Sequence, residues 1–164
     1  MQRGEKVIRF FSTTLKYLIA LHAGVVVSSL ISIMALFMGG GEAKTDLYSL
    51  MSIQLASIPL SALSMFVGVF AARNSIEGRL TLKRLYAATP QWLVFIFVVL
   101  FSLALSGEVA LVIVAGATDA VVDWKAHVPL VATVANSIAA CVIYACIGIM
   151  EGRPVALSGR WDAN

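Results

Sequence analysis

The sequence predicts an all-α integral membrane protein, a bundle of four transmembrane helices joined by short loops. Three observations carry this. Hydrophobic residues make up 60% of the 164 positions and charged ones 13%, whereas soluble domains carry about 25% charged residues. A chain this short has too small an interior to hide so much apolar surface from water. The apolar residues gather in four runs, Leu15–Met38, Leu47–Ala72, Gln91–Val114 and Val128–Met150, each longer than the ~20 residues that cross a hydrocarbon core. The basic residues fall between these runs or, as Lys16 does, at the edge of one. In lipid a backbone must satisfy its own hydrogen bonds, so each run is expected as a helix, and residues 1–164 as one domain.

The first run is too long for a signal-peptide core, so it is expected as a retained helix. Ahead of it, Val7, Phe10, Phe11, Thr14 and Leu15 recur at helical spacing beside Arg3, Lys6 and Arg9. This fits an amphipathic turn on anionic headgroups or a plain continuation of the helix. Gly39-Gly40-Gly41 ends the run, glycine entering the left-handed terminal conformation without strain. In the second run Pro59 removes the hydrogen bond to the Leu55 carbonyl, which is expected to bend the helix. Thr89-Pro90 reads as the start of the third helix, and Pro129 falls in the first turn of the fourth. Tyr17, Tyr86, Trp92, Tyr48 and Trp124 sit near run ends, where amphipathic rings settle at the headgroups.

Between the second and third runs, Arg73–Thr89 is the largest basic segment. Ile76, Leu80, Leu82, Leu85 and Tyr86 give it an apolar side, and Arg79, Lys83 and Arg84 give it charge. It suits contact with anionic lipid, each basic residue contributing ~1 kcal/mol, or docking of a partner. Ten of the twelve Lys and Arg residues lie before or at the very start of the first run (Lys16), in this segment or after the fourth run; only Lys44 and Lys125 fall in the other two loops. Basic loops stay in the cytoplasm, so both termini are expected there, in a bacterial inner membrane. The net charge of +3 is spread along the chain, whereas a nucleic-acid binder gathers its charge on one face; no nucleic-acid partner is expected.

Helices in lipid pack through small residues. The first run has Ala20, Gly24, Ser28 and Ser32, all four apart; the second has Gln54, Ser57, Ser61, Ser64, Gly68 and Ala71 in alternating steps of three and four. The fourth has Ala132, Asn136, Ala140 and Gly148. The third run is bulky through Trp92–Phe101, with small residues only around Ser102, Ser106, Gly107 and Ala110. Cys141 and Cys146 are five apart on one helix, too distant for a disulfide, and read as packing residues.

Glu108 is the one charged residue well inside an apolar run, and an intramembrane carboxylate marks a functional position by default. It lies roughly 10 Å from the outer end of its helix, a depth shared by Gln54 and Asn136. These three, with Ser52 and Thr133, are expected either to form one polar layer or, if the helix leaves the hydrocarbon near Gly107, to leave Glu108 among headgroups. His22 and His127 fall in opposite leaflets, so each is expected to make its own interhelical hydrogen bond. No phosphate-binding loop, dinucleotide fingerprint or metalloprotease motif occurs; no cofactor or metal is expected, and a single carboxylate lacks partners for acid–base catalysis.

In size and topology the chain resembles the small membrane subunits of tripartite, binding-protein-dependent transporters. That resemblance implies a non-catalytic subunit acting by helix contact with a larger membrane protein; an immunity-type membrane protein belongs to the same class. The alternative is a homo-oligomeric channel or transporter lined by Glu108 and the serine face. A small membrane enzyme is the third possibility.

Overall fold

The computed structural model describes residues 2–38, 44–75, 80–118 and 124–152. Among these the chain is helical almost throughout: α1 Gln2–Met38, α2 Lys44–Ser75, α3 Leu82–Ala88, α4 Gln91–Thr118 and α5 Val128–Met150, with one 3-10 turn at Trp124–His127. Four of them, all but α3, are long and apolar enough to cross a membrane. The fold is the expected all-α bundle. α1, α2 and α4 overrun their apolar runs, because hydropathy marks the part that lipid tolerates and not the point where the helix stops, whereas α5 coincides with its run. No proline precedes Leu15, so α1 continues back through Gly4 to Gln2.

α5 is the hub. It packs against α1, α2, α3 and α4, whereas the other substantial contact between long helices is α1 with α2. At one end of the bundle the core is apolar: Leu15 of α1, Ala71 and Ala72 of α2, and Ala139, Ile143, Cys146, Ile147 and Met150 of α5. Leu80 and Leu85 close over this end. Further along the same helices the buried residues turn polar, with His22, Ser29, Ser32, Gln54, Ser57, Ser61, Thr133, Asn136 and Ser137.

The packing face of α2 follows its three- and four-residue steps: Gln54, Ser57, Ser61, Ser64, Gly68 and Ala71 are all buried. A Cβ on Gly68 would meet Cys146 and Ile143 at ordinary contact distance, 3.7–3.8 Å. In α1 the expected file needs correction. Ser32 is buried and Ser28 half-buried, but Ala20 and Gly24 are exposed, and nothing lies within 4 Å of a Cβ placed on Gly24. A step of four residues overshoots one turn by about 40°, so a file of fours winds around the helix. The buried face of α1 is instead Ser12, Leu15, His22, Val25, Ser29 and Ser32, which keeps near 3.5 residues per turn.

α4 stands apart. Only 11% of its apolar span is buried in protein, against 56% for α5. It touches α5 through Ala104 and Gly107, both buried, where a Cβ on Gly107 would come 2.7 Å from Leu130 Cδ2. At its start Trp92 meets Tyr144 edge to face, ring centroids 6.1 Å apart. Ser102 and Ser106, grouped with Gly107 in the sequence, face away from the bundle. They lie about 100° or more around the helix from the Gly107–Leu130 contact.

Substitutions on α1 and α2 test this placement. Gly24→Leu should change thermal stability in detergent by less than ~0.5 kcal/mol, as for a position without packing neighbours. Ser29→Leu and Gly68→Leu should each cost ~1–3 kcal/mol by overpacking a filled interface. A Gly24→Leu protein that melts as early as Ser29→Leu would contradict the assignment of faces.

Candidate functional site

Three polar groupings span the bundle, and each is built by the ends or mid-turns of different helices. The deepest lies between α1, α2 and α5. His22, Gln54 and Asn136 are each completely buried. Asn136 Nδ2 donates to the Ala132 carbonyl at 2.8 Å and to Ser57 Oγ at 2.9 Å. A carbonyl only accepts, so the atom facing it is the amide nitrogen, and Oδ1 points to His22 Nδ1 at 2.6 Å. His22 therefore donates from Nδ1. Ser57 Oγ in turn donates to the Gln54 backbone carbonyl at 2.6 Å. Gln54 Nε2 donates to Ser32 Oγ at 2.8 Å, and Ser32 donates to the Ser28 carbonyl at 3.1 Å. The connections run from α1 at His22 to α5, to α2 and back to α1 at Ser32, a polar ring of three helices whose circuit is completed through the backbones of α1 and α2.

Glu108 is not part of it. Its Oε2 lies 2.6 Å from His127 Nδ1, with each side chain about one-third exposed, 33% and 34%. The expected layer of Glu108, Gln54 and Asn136 is thus corrected. Asn136 is shared with His22 and Ser57, Gln54 turns to Ser32, and Thr133 bonds the Pro129 carbonyl at 2.8 Å; Ser52 is exposed. The reason is chemical. An acid on the outermost helix finds an imidazole across the α4–α5 contact, and the amide nitrogens of Gln54 and Asn136 already donate to other partners. The two histidines serve separate groupings, as their sequence positions suggest.

The third grouping lies at the other end. Glu151, at the C-terminal cap of α5, accepts from Ser12 Oγ at 2.7 Å and pairs with Lys16 Nζ at 2.7 Å. A carboxylate is unfavourable at the negative end of a helix, and Lys16 offsets that. Sequence reasoning assigned nothing to Ser12 or Glu151. The available signal was an acid closing the last apolar run and a lysine opening the first, which an even number of spans brings to one side.

Beside this end, Thr81 caps α3 by accepting from the Arg84 backbone N–H at 3.3 Å. The segment's apolar side divides: Leu80 and Leu85 pack on the core, whereas Leu82 is 85% and Tyr86 70% exposed. Lys83 and Arg84 are exposed beside them; Arg79 and Ile76 lie outside the described residues. The α2 serines Ser57, Ser61 and Ser64 each bond a carbonyl of their own helix, at 2.6–2.7 Å, so they line a packed interface. Among the described residues no three His, Cys, Asp or Glu side chains gather to hold a metal ion.

Comparison with protein-family models, curated proteins and solved structures finds no match to this chain.

The groupings should differ sharply in energetic weight. Asn136→Ala leaves His22 Nδ1–H without its acceptor, and should cost ~1–3 kcal/mol in detergent unfolding. Glu108→Gln should cost under ~1 kcal/mol, since a partly exposed pair contributes little. Equal losses would mean that the ring does not organise the core.

Proposed function

We propose that the chain is a non-catalytic membrane subunit that works by helix contact with a larger membrane protein, and that α4 is the helix it offers. The observation that carries this is a file on α4. Phe95, Val99, Ser102, Ser106, Val109 and Ile113 follow steps of four and three, and every one is exposed. That period keeps one face turned to a neighbour in a left-handed helix pair, and the two serines at its centre let a second backbone approach. The polar side chains of α1, α2 and α5 that bond one another are meanwhile buried inside the bundle. The serine-lined path of a channel has less support, because the α2 serines bond their own helix and pack against α5 and α1. Exposed Leu82 and Tyr86, flanked by Lys83 and Arg84, suit contact with lipid headgroups on the same side as the Lys16–Glu151 pair.

A photo-crosslinking residue at Phe95 or Val109, in the native membrane, should trap one larger membrane protein. The same probe at Leu63, exposed on α2, should trap only lipid. An adduct of twice the chain's mass would favour self-association, and no adduct at the file beyond the control would sink the proposal. Ser106→Leu should reduce recovery of the partner about tenfold, equivalent to ~1.4 kcal/mol, with the melting of the isolated chain unchanged.

For orientation, we propose that both termini face the cytoplasm, in a bacterial inner membrane; the ten-to-two distribution of basic residues supports the sidedness. Reporter fusions at Arg84 and Asn164 should report the cytoplasm, and one at Lys125 the outside. An external C-terminus would overturn this.

A further inference from the structure

The polar ring leaves two acceptors over. Because Nδ1 of His22 carries the hydrogen donated to Asn136, the neutral ring presents a bare lone pair at Nε2. Because Ser32 spends its proton on the Ser28 carbonyl, the Gln54 atom facing Ser32 must be the amide nitrogen, and Oε1 is left over. Both atoms are buried without a hydrogen-bond partner among the described residues, as are Ser29 Oγ and Ser137 Oγ. The parent side chains of the two acceptors, His22 and Gln54, have no exposed surface at all, and neither does Ser29. These are the ring's own members or their neighbours. Ser29 lies on the same face of α1 between His22 and Ser32, and Ser137 follows Asn136 on α5.

Leaving a buried acceptor unmade costs the full desolvation of that group, and the cost grows in a medium of low dielectric. Two such acceptors of fixed orientation within one core ask for hydrogen donors that no described residue supplies. Ser29, Ser57 and Ser61, small residues of α1 and α2, are buried along with them. A buried water characteristically makes about three hydrogen bonds to otherwise unsatisfied groups.

We propose that the α1–α2–α5 core holds internal water, one molecule donating to His22 Nε2 and another to Gln54 Oε1, with Ser29 and Ser137 as the hydroxyls available to them. His22 and Ser29 are seven residues apart, about 10 Å along the helix, so one molecule does not reach across. The site selects an uncharged donor of two hydrogens. Both named acceptors are neutral, and the acids Glu108 and Glu151 are engaged elsewhere, with His127 and with Lys16.

The chain has two histidines, which makes the test direct. Solid-state NMR of the full chain, with ¹⁵N-labelled histidine, is recorded in lipid bilayers. His127 is identified by loss of its signals in His127→Gln, or, should that variant not fold, by its broadening with a water-soluble paramagnetic chelate. The expected result for His22 is a protonated Nδ1, an unprotonated Nε2, and transfer of magnetisation from water protons to Nε2. A His22 ring that receives nothing from water while His127 does would overturn the proposal. So would the opposite tautomer, with Nδ1 bare, because the ring's donor directions would then be wrong.

Discussion

Everything in this bundle depends on the requirement that polar groups taken out of water find partners inside the protein. Asn136 meets it most fully. One side chain on α5 accepts from α1 and donates to α2, and its remaining hydrogen returns to its own helix at Ala132. Leucine surfaces could not specify that arrangement, because lipid tails are as apolar as they are and give no preference for one neighbour over another. The ring is directional. Ser57 and Ser32 each send their proton to a carbonyl of their own helix and so must accept from an amide of another. Reversing any one donor would break its neighbour. A unique rotation of α1, α2 and α5 about their axes follows from that consistency.

The apolar end does complementary work. Small side chains on α2, Ala71 and Ala72, let Ile143, Cys146 and Ile147 of α5 come close, and the Lys16–Glu151 pair ties α1 to the end of α5. Three helices are thereby fixed at both levels. α4 is held differently, by Gly107 against Leu130, by Trp92 against Tyr144 and by the Glu108–His127 pair. These contacts are spread along one edge and leave a spaced file on the opposite side. A helix so attached keeps its position while offering most of its surface to lipid or protein. The proposed subunit role grows from this division between a self-sufficient trio and an open fourth helix.

Much of this was legible in the residues. Length and apolarity of the four runs predict the spans, because a lipid-embedded backbone has few options. The α2 face was readable from Gln54 to Ala71, since alternating steps of three and four mark one side of a helix. Two things were not. In α1, Ala20 and Gly24 look like a packing file, but equal steps of four drift around the helix, and the true face carries bulkier Leu15, His22 and Val25. For Glu108, matched depth suggested Gln54 and Asn136, whereas depth says nothing of the angle around the bundle. That angle is set by which helices touch, and α4 meets α5 at its outer edge, where His127 stands. Likewise Leu82 and Leu85 look equivalent in the segment before α4, yet one faces out and the other in, because only contact with α5 decides between them.

The central claim is that His22 and Asn136 act together to join α1 to α5, and a double-mutant cycle measures this most directly. His22→Ala, Asn136→Ala and the double variant are unfolded reversibly in mixed micelles, and the coupling energy is taken from the departure from additivity. Interhelical hydrogen bonds in membrane proteins average ~0.6 kcal/mol and reach ~1.7 kcal/mol; a buried pair 2.6 Å apart should lie in the upper part of that range. Losses that simply add, to within ~0.3 kcal/mol, would mean that the two side chains do not share an interaction and that the ring does not hold the bundle.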